Sequence, residues 1–152
     1  MIHGEKPRNP IHVAAIVLVT LQVLYGLFWA GHDLSARLGL WPDPAIAHQF
    51  LSGLSWTQEF FFFGHVVLNC AVLWLVIPKH HYALPVFTVS FLFDRIDWVM
   101  MTGNTAFNET FDVNGLTLAS FALQTLIFTV LAILVFAPRD ETSPAAARRS
   151  KS

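Results

Sequence analysis

YALPVFTVSFLFDRIDWVMMTG, residues 82–103, is long and apolar enough to cross a bilayer, yet it sets Asp94, Arg95 and Asp97 within one turn of chain. About 20 helical residues span the hydrocarbon core. A charge near its centre costs at least ~2.5–3.5 kcal/mol on insertion scales, so charges there face protein or trapped water. On a helical wheel Ser90, Asp94, Asp97 and Met101 form one stripe, with Arg95 about 100° from Asp94. The remaining face is left for lipid. Neighbours in sequence do not face each other on a helix, so Arg95 cannot be fully satisfied by them and needs acceptors from another helix. In a structural network its ion-pair partner is Asp94, Asp97 or Glu59.

Three further runs have the same character: 11–31 (IHVAAIVLVTLQVLYGLFWAG), 56–77 (WTQEFFFFGHVVLNCAVLWLVI) and 116–137 (LTLASFALQTLIFTVLAILVFA). The first and last contain no Asp, Glu, Lys or Arg. The first also exceeds the roughly 7–15 apolar residues of a signal peptide, and so reads as a span rather than a cleaved leader. Boundaries carry their own chemistry. Asn9-Pro10 is an N-cap with proline in the first turn. Ser55-Trp56-Thr57-Gln58 has capping-box spacing, and Pro78 and Pro138 follow the second and fourth runs as terminators.

Composition agrees. The 152 residues are 55% hydrophobic and only 12% charged, about half the charged share of a soluble domain. A net charge of −1, with no basic stripe interleaved with aromatics, points away from nucleic acid. Cys70 is the single cysteine, which excludes an intrachain disulfide and any Cys-based zinc pattern. The expected fold is an all-α, integral membrane four-helix bundle, and the expected environment is the lipid bilayer of a bacterial inner (plasma) membrane.

Orientation follows from Lys and Arg in the flanks. Lys6, Arg8, Lys79, Arg139, Arg148, Arg149 and Lys151 gather on one side, and only Arg37 lies on the other. Both termini are therefore expected in the cytoplasm, with 32–55 and 104–115 outside. Residues 138–152 read as a disordered basic tail. Within the first outer segment Asp43-Pro44 starts a short amphipathic helix, Ala45 to Gly53, with Ile46, Phe50, Leu51 and Leu54 on one face. It either lies in the interface or forms a lid over the bundle. Asn108-Glu109-Thr110 matches a glycosylation acceptor, a short pattern without meaning in a bacterial chain.

Depth brings the polar residues together. At 1.5 Å per residue, Asp94, Arg95 and Asp97 lie at the height of Glu59 and His65 on the second span. Gln22 and Tyr25 on the first, and Ser120 and Gln124 on the fourth, fall in the same slab. Gln58, His65 and Asn69 share a face. The bundle is thus expected to be polar toward the outside and apolar toward the cytoplasm. Asp94, Asp97 and His65 are the candidate proton-handling groups, and Arg95 the candidate anchor for an anionic or carbonyl group. Glu59, Gln22, Tyr25, Asn69, Trp98 and Gln124 are the candidate lining, among walls supplied by Trp56, Phe60 to Phe63 and Phe91.

Such a site suits a small lipophilic ligand, and three carboxylates against one arginine leave negative charge to be met by a proton or a cation. The competing reading is a structural ionic network in an accessory or assembly subunit, bound to a membrane protein partner. A proton path fits less well, because only His12 and His80-His81 continue toward the cytoplasm. A metal or haem would draw on His32, Asp33, His48 and Glu59, but histidines at i, i+3 or i+4 spacing are absent. No cofactor is assigned.

Overall fold

A computed structural model describes residues 9–104, 108 and 112–136, and these form an all-α structure with no strand among them. Among the described residues five helices have defined bounds, in order: α1 (Pro10–Arg37), α2 (Pro44–Ser52), α3 (Trp56–Val76), α4 (Ala83–Met101) and α5 (Val113–Phe136). Three of them, α1, α3 and α5, are long and apolar enough to cross a membrane. The fourth expected span forms α4, 19 residues long, whose Asp94, Arg95 and Asp97 set it apart in composition.

Side-chain caps start the first three helices. Asn9 Oδ1 accepts from the Ile11 N–H at 3.0 Å, with Pro10 in the first turn. Asp43 Oδ1 accepts from Ala45 N–H at 2.8 Å and Ile46 N–H at 3.4 Å. Ser55 Oγ accepts from Gln58 N–H at 3.1 Å. The reciprocal half of that capping box is replaced, because the Gln58 amide reaches across to Met101 Sδ at 3.4 Å.

Both hairpin-forming helix ends close by the same device. Leu40 N–H donates to Ser35 carbonyl and Gly39 N–H to Ala36 carbonyl, around Gly39 at φ 69°. His80 and Lys79 repeat the pattern onto Leu75 and Val76, with Lys79 at φ 60°. These are paired closures of Schellman type.

Two expectations shift. The first helix was expected to end at 31 but runs on through Arg37, about two turns further. Gly31 stays within the helix and no proline interrupts it before Gly39, so His32, Asp33 and Arg37 ride on the helix instead of a loop. On α2 the inward residues are Ala47 and Phe50, with Leu51 and Leu54 beside them, while Ile46 is 40% exposed. The short helix packs on α1, and the Asn104 side-chain amide donates to the Phe50 carbonyl at 3.2 Å. It sits as a lid.

The long helices close a cycle in which α1 and α4 each pack against α3 and α5. Taking the α2 end as the top, the interior is layered. At the bottom Ala15, Val19, Val72, Val76, Phe87, Ile127 and Leu131 form an apolar core. Above it Gln22, Asn69, Ser90 and Gln124, one from each long helix, are almost fully buried. At the top, Ala36, Ala47 and Phe50 are joined by Trp29, Trp41, Trp98 and Met101. The expected asymmetry, polar in one half and apolar in the other, is present in the packing. Of the acceptor triplet at 108, Glu109 and Thr110 lie outside the described residues, as do the tail 138–152 and all its basic groups.

Candidate functional site

Between the amide layer and the aromatic top lies a cavity of about 50 Å³ to which all five helices contribute. The α1 face supplies Tyr25, Trp29, His32 and Asp33, and α2 supplies Phe50. From α3 come Gln58, Glu59, Phe62, Phe63 and His65, from α4 Asp94, Asp97, Trp98 and Met101, and from α5 Ser120. Trp41 and Leu54, from the segments flanking α2, complete the roof. A water needs roughly 10–15 Å³ of such space, so the chamber holds a few waters or one small polar group.

Its ionic groups fall into two sets. In the lower set, Arg95 Nε donates to Asp94 Oδ2 at 3.0 Å, its Nη2 also contacts that oxygen, and Nη2 donates to Ser120 Oγ at 2.8 Å. The guanidinium lies 5.8 Å from the Phe91 ring centroid and 5.9 Å from that of Phe121. Arg95 therefore turns toward α5 and is not among the lining residues, where an anchor role had been expected of it. It takes the expected acceptor from another helix, but its long side chain also folds back on the adjacent Asp94. Asp94 is one of the three partners, with Asp97 and Glu59, that a structural network offered it. His65 Nε2 stands 3.6 Å from the other Asp94 oxygen, an ionic separation rather than a hydrogen bond.

Asp97 differs. It is 5% exposed, lines the cavity, and its Oδ1 has no hydrogen-bond partner among the described residues. It completes the trio of Asp94, Asp97 and His65 expected to share one space.

The upper set is held by Arg37. Its Nε donates to Asp33 Oδ2 at 2.9 Å and its Nη2 to Glu59 Oε1 at 3.0 Å, tying α1 to α3 at the rim. Glu59 thus belongs to the chamber wall but pairs with Arg37 rather than Arg95. Tyr25 and Trp98 line the cavity as expected, and Trp98 Nε1 also donates to Thr117 Oγ1 at 2.6 Å.

Gln22, Asn69 and Gln124 sit below and do not line it. Asn69 Oδ1 accepts from the Ser90 hydroxyl at 2.8 Å, while Gln22 Oε1 and Gln124 Oε1 have no partner among the described residues. The lining that sequence reasoning passed over is Trp29 and Trp41, with Phe50 read only as part of the short helix's apolar face and His32 and Asp33 weighed only as metal ligands. Following the Tyr25 face of α1 at helical spacing gives Trp29, and carrying it past residue 31 gives His32 and Asp33. Among the described residues no three of His, Cys, Asp and Glu converge as a metal-binding group.

Chemically, the site offers an imidazole beside one carboxylate, a second carboxylate with no cation among the described residues, and aromatic walls. Those groups can bind a polar head and move a proton on it. No protein-family model, curated protein or solved structure matches the chain.

Proposed function

We infer that this chain is a four-span protein of a bacterial plasma membrane, both termini cytoplasmic, whose outer half binds a small lipophilic ligand. The fourth span rests on α4's two sides. Asp94 and Asp97 are buried and Arg95 is bonded to α5, while Val89, Leu92, Ile96 and Val99 form an exposed apolar stripe. The charges lower the helix's mean hydropathy without facing lipid, as intramembrane charges do.

The single observation that carries the ligand reading is the convergence of His65, Asp94 and Asp97 with aromatic side chains on one capped cavity. Mostly apolar walls with a few polar groups are the make-up of a small-molecule site. His65, Asp94 and Asp97 are the groups available for proton transfer on a bound ligand. Thermal-shift screening of purified protein against lipids, sterols, quinones and divalent metals tests it. A stabilising lipophilic class is expected, and its effect should vanish in Leu54→Trp, which fills the chamber from the roof. No response from any class, with folding intact, overturns the reading.

A second reading has its own observation: Asp94–Arg95–Ser120 and Asp33–Arg37–Glu59 each join two helices, as a structural network in an accessory or assembly subunit would. Under it, Leu54→Trp leaves function untouched, and loss of either ion pair impairs assembly with a membrane partner.

A further inference from the structure

The chamber has more negative than positive groups. Four carboxylates line it, Asp33, Glu59, Asp94 and Asp97, and the guanidinium groups bonded to them are two. Arg37 takes Asp33 and Glu59; Arg95 takes Asp94. Asp97 is left without a cation among the described residues, although it is nine-tenths buried and one of its oxygens has no partner there. A buried carboxylate is tolerated when a counter-charge or donors meet it.

Around the same space stand Tyr25, Trp29, Trp41, Phe50, Phe62 and Trp98. Aromatic rings attract cations through their quadrupole, most strongly when water is excluded, and cages of them select organic ammonium groups. A metal ion is a poorer match, because hard cations want several converging oxygens and no such group of three ligands occurs among the described residues.

Size narrows the ligand further. About 50 Å³ admits an ammonium with a carbon or two, not a whole lipid. A second, open space adjoins the chamber wall. Glu59 and Phe63 also line an open apolar groove between α3 and α4, with Trp56, Phe60, Val67 and Phe93 along it. That groove is an outward face of the helices and suits a hydrocarbon tail.

We propose that the chamber takes the protonated head of a lipophilic amine, with Asp97 as its counter-ion and the tail leaving past Phe63 into the α3–α4 groove. The proposal rests on the ligand reading above and gives that site its chemical class. The test is a thermal-shift and tryptophan-fluorescence titration of the full chain in nanodiscs, using n-octylamine, 1-octanol and octanoate at matched membrane concentrations. n-Octylamine is expected to stabilise the wild type and perturb its fluorescence, with methylamine weaker. 1-Octanol should bind at least about tenfold more weakly, because it lacks the charge, and octanoate not at all. Asp97→Asn should lose the amine preference while keeping the shape of the site. Should that variant misfold, the amine-to-alcohol ratio on wild type alone still decides.

Equal binding of amine and alcohol, unchanged in Asp97→Asn, overturns the amine class but leaves a lipophilic pocket standing. Binding of none of the probes, alongside an empty lipid and quinone screen, sinks both. Stabilisation by sodium or calcium chloride that is lost in Asp97→Asn and not matched by n-octylamine overturns the organic cation in favour of an inorganic one.

Discussion

Lys79 holds a φ of 60° at the turn between α3 and α4, where an L side chain crowds the following carbonyl and costs roughly 1–2 kcal/mol. Gly39 occupies the equivalent place after α1 without that strain. Lys79→Gly should therefore stabilise the protein by about 0.5–1 kcal/mol, the strain relieved less the added freedom of the unfolded chain. A higher midpoint in SDS or thermal denaturation checks it; a lower one would mean that the lysine side chain outweighs the backbone term. Gly64 makes the opposite demand. A Cβ there would stand 2.7 Å from Phe93 Cδ1 and 2.8 Å from Cε1, and Phe93 is packed against Phe60 and Phe61. Gly64→Ala should force the α3–α4 contact apart and cost about 1–3 kcal/mol.

The ion pair at Arg95 carries a different prediction. Removing one partner of a buried pair costs roughly 3–5 kcal/mol, because the other charge stays behind, whereas replacing both with apolar residues can be nearly neutral. Arg95→Leu should thus be strongly destabilising, and Asp94→Leu with Arg95→Leu should recover most of the loss. If the double variant is as unstable as the single one, the guanidinium acts chiefly through Ser120 and the flanking rings.

Among the elements, α2 carries the argument. Phe50 is 7% exposed and stacks on Trp41 at 5.3 Å between ring centroids, and both belong to the chamber roof. Truncating a buried phenylalanine costs about 3–5 kcal/mol when the site cannot collapse. A nine-residue helix has few other contacts to absorb that loss. Phe50→Ala should unseat the lid while leaving α1, α3, α4 and α5 packed. Hydrogen exchange is expected to accelerate in 44–52 and in the N-terminal turn of α3, with the amides of the lower core unchanged. Uniform acceleration would mean that the lid and the long helices unfold as one unit.

The same helix marks what sequence could and could not convey. Its existence and start were legible from Asp43-Pro44, since a cap and a proline are local signals. Its buried face was not. Over nine residues Ile46 and Ala47 compete for the inward position, and only contact with α1 decides between them. Depth and wheel angle likewise brought His65, Asp94, Asp97 and Tyr25 to one level and one interior. They carried no information on rotamers, so the choice of Asp94 among the carboxylates open to Arg95, and the pairing of Glu59 with Arg37, were out of reach. The missed α1 part of the wall and rim has a plainer cause: an expected helix end at 31 removed His32, Asp33 and Arg37 from the face they continue.

For the molecule as a whole, the count of spans turns on the two ends of α4. A four-span arrangement puts His81, in the turn before α4, on the cytoplasmic side with Lys79, and Thr102, just after it, on the far side with Arg37. That assignment follows from the positive-inside rule and from an α4 whose exposed stripe is apolar. With Cys70 replaced by alanine, single cysteines at His48, His81 and Thr102, all exposed positions, can be challenged with a membrane-impermeant maleimide on intact cells. His48→Cys and Thr102→Cys should label from outside, and His81→Cys only after permeabilisation. If His81→Cys and Thr102→Cys label together, α4 does not cross. Its carboxylates would then lie at a surface in contact with bulk water. The chamber would lose the low dielectric that strengthens the proposed pairing of Asp97 with an ammonium, and amine selectivity in the nanodisc titration should shrink with rising salt as it does for exposed charges. The labelling pattern and the salt dependence must therefore agree: a crossing α4 requires amine binding that is nearly indifferent to ionic strength.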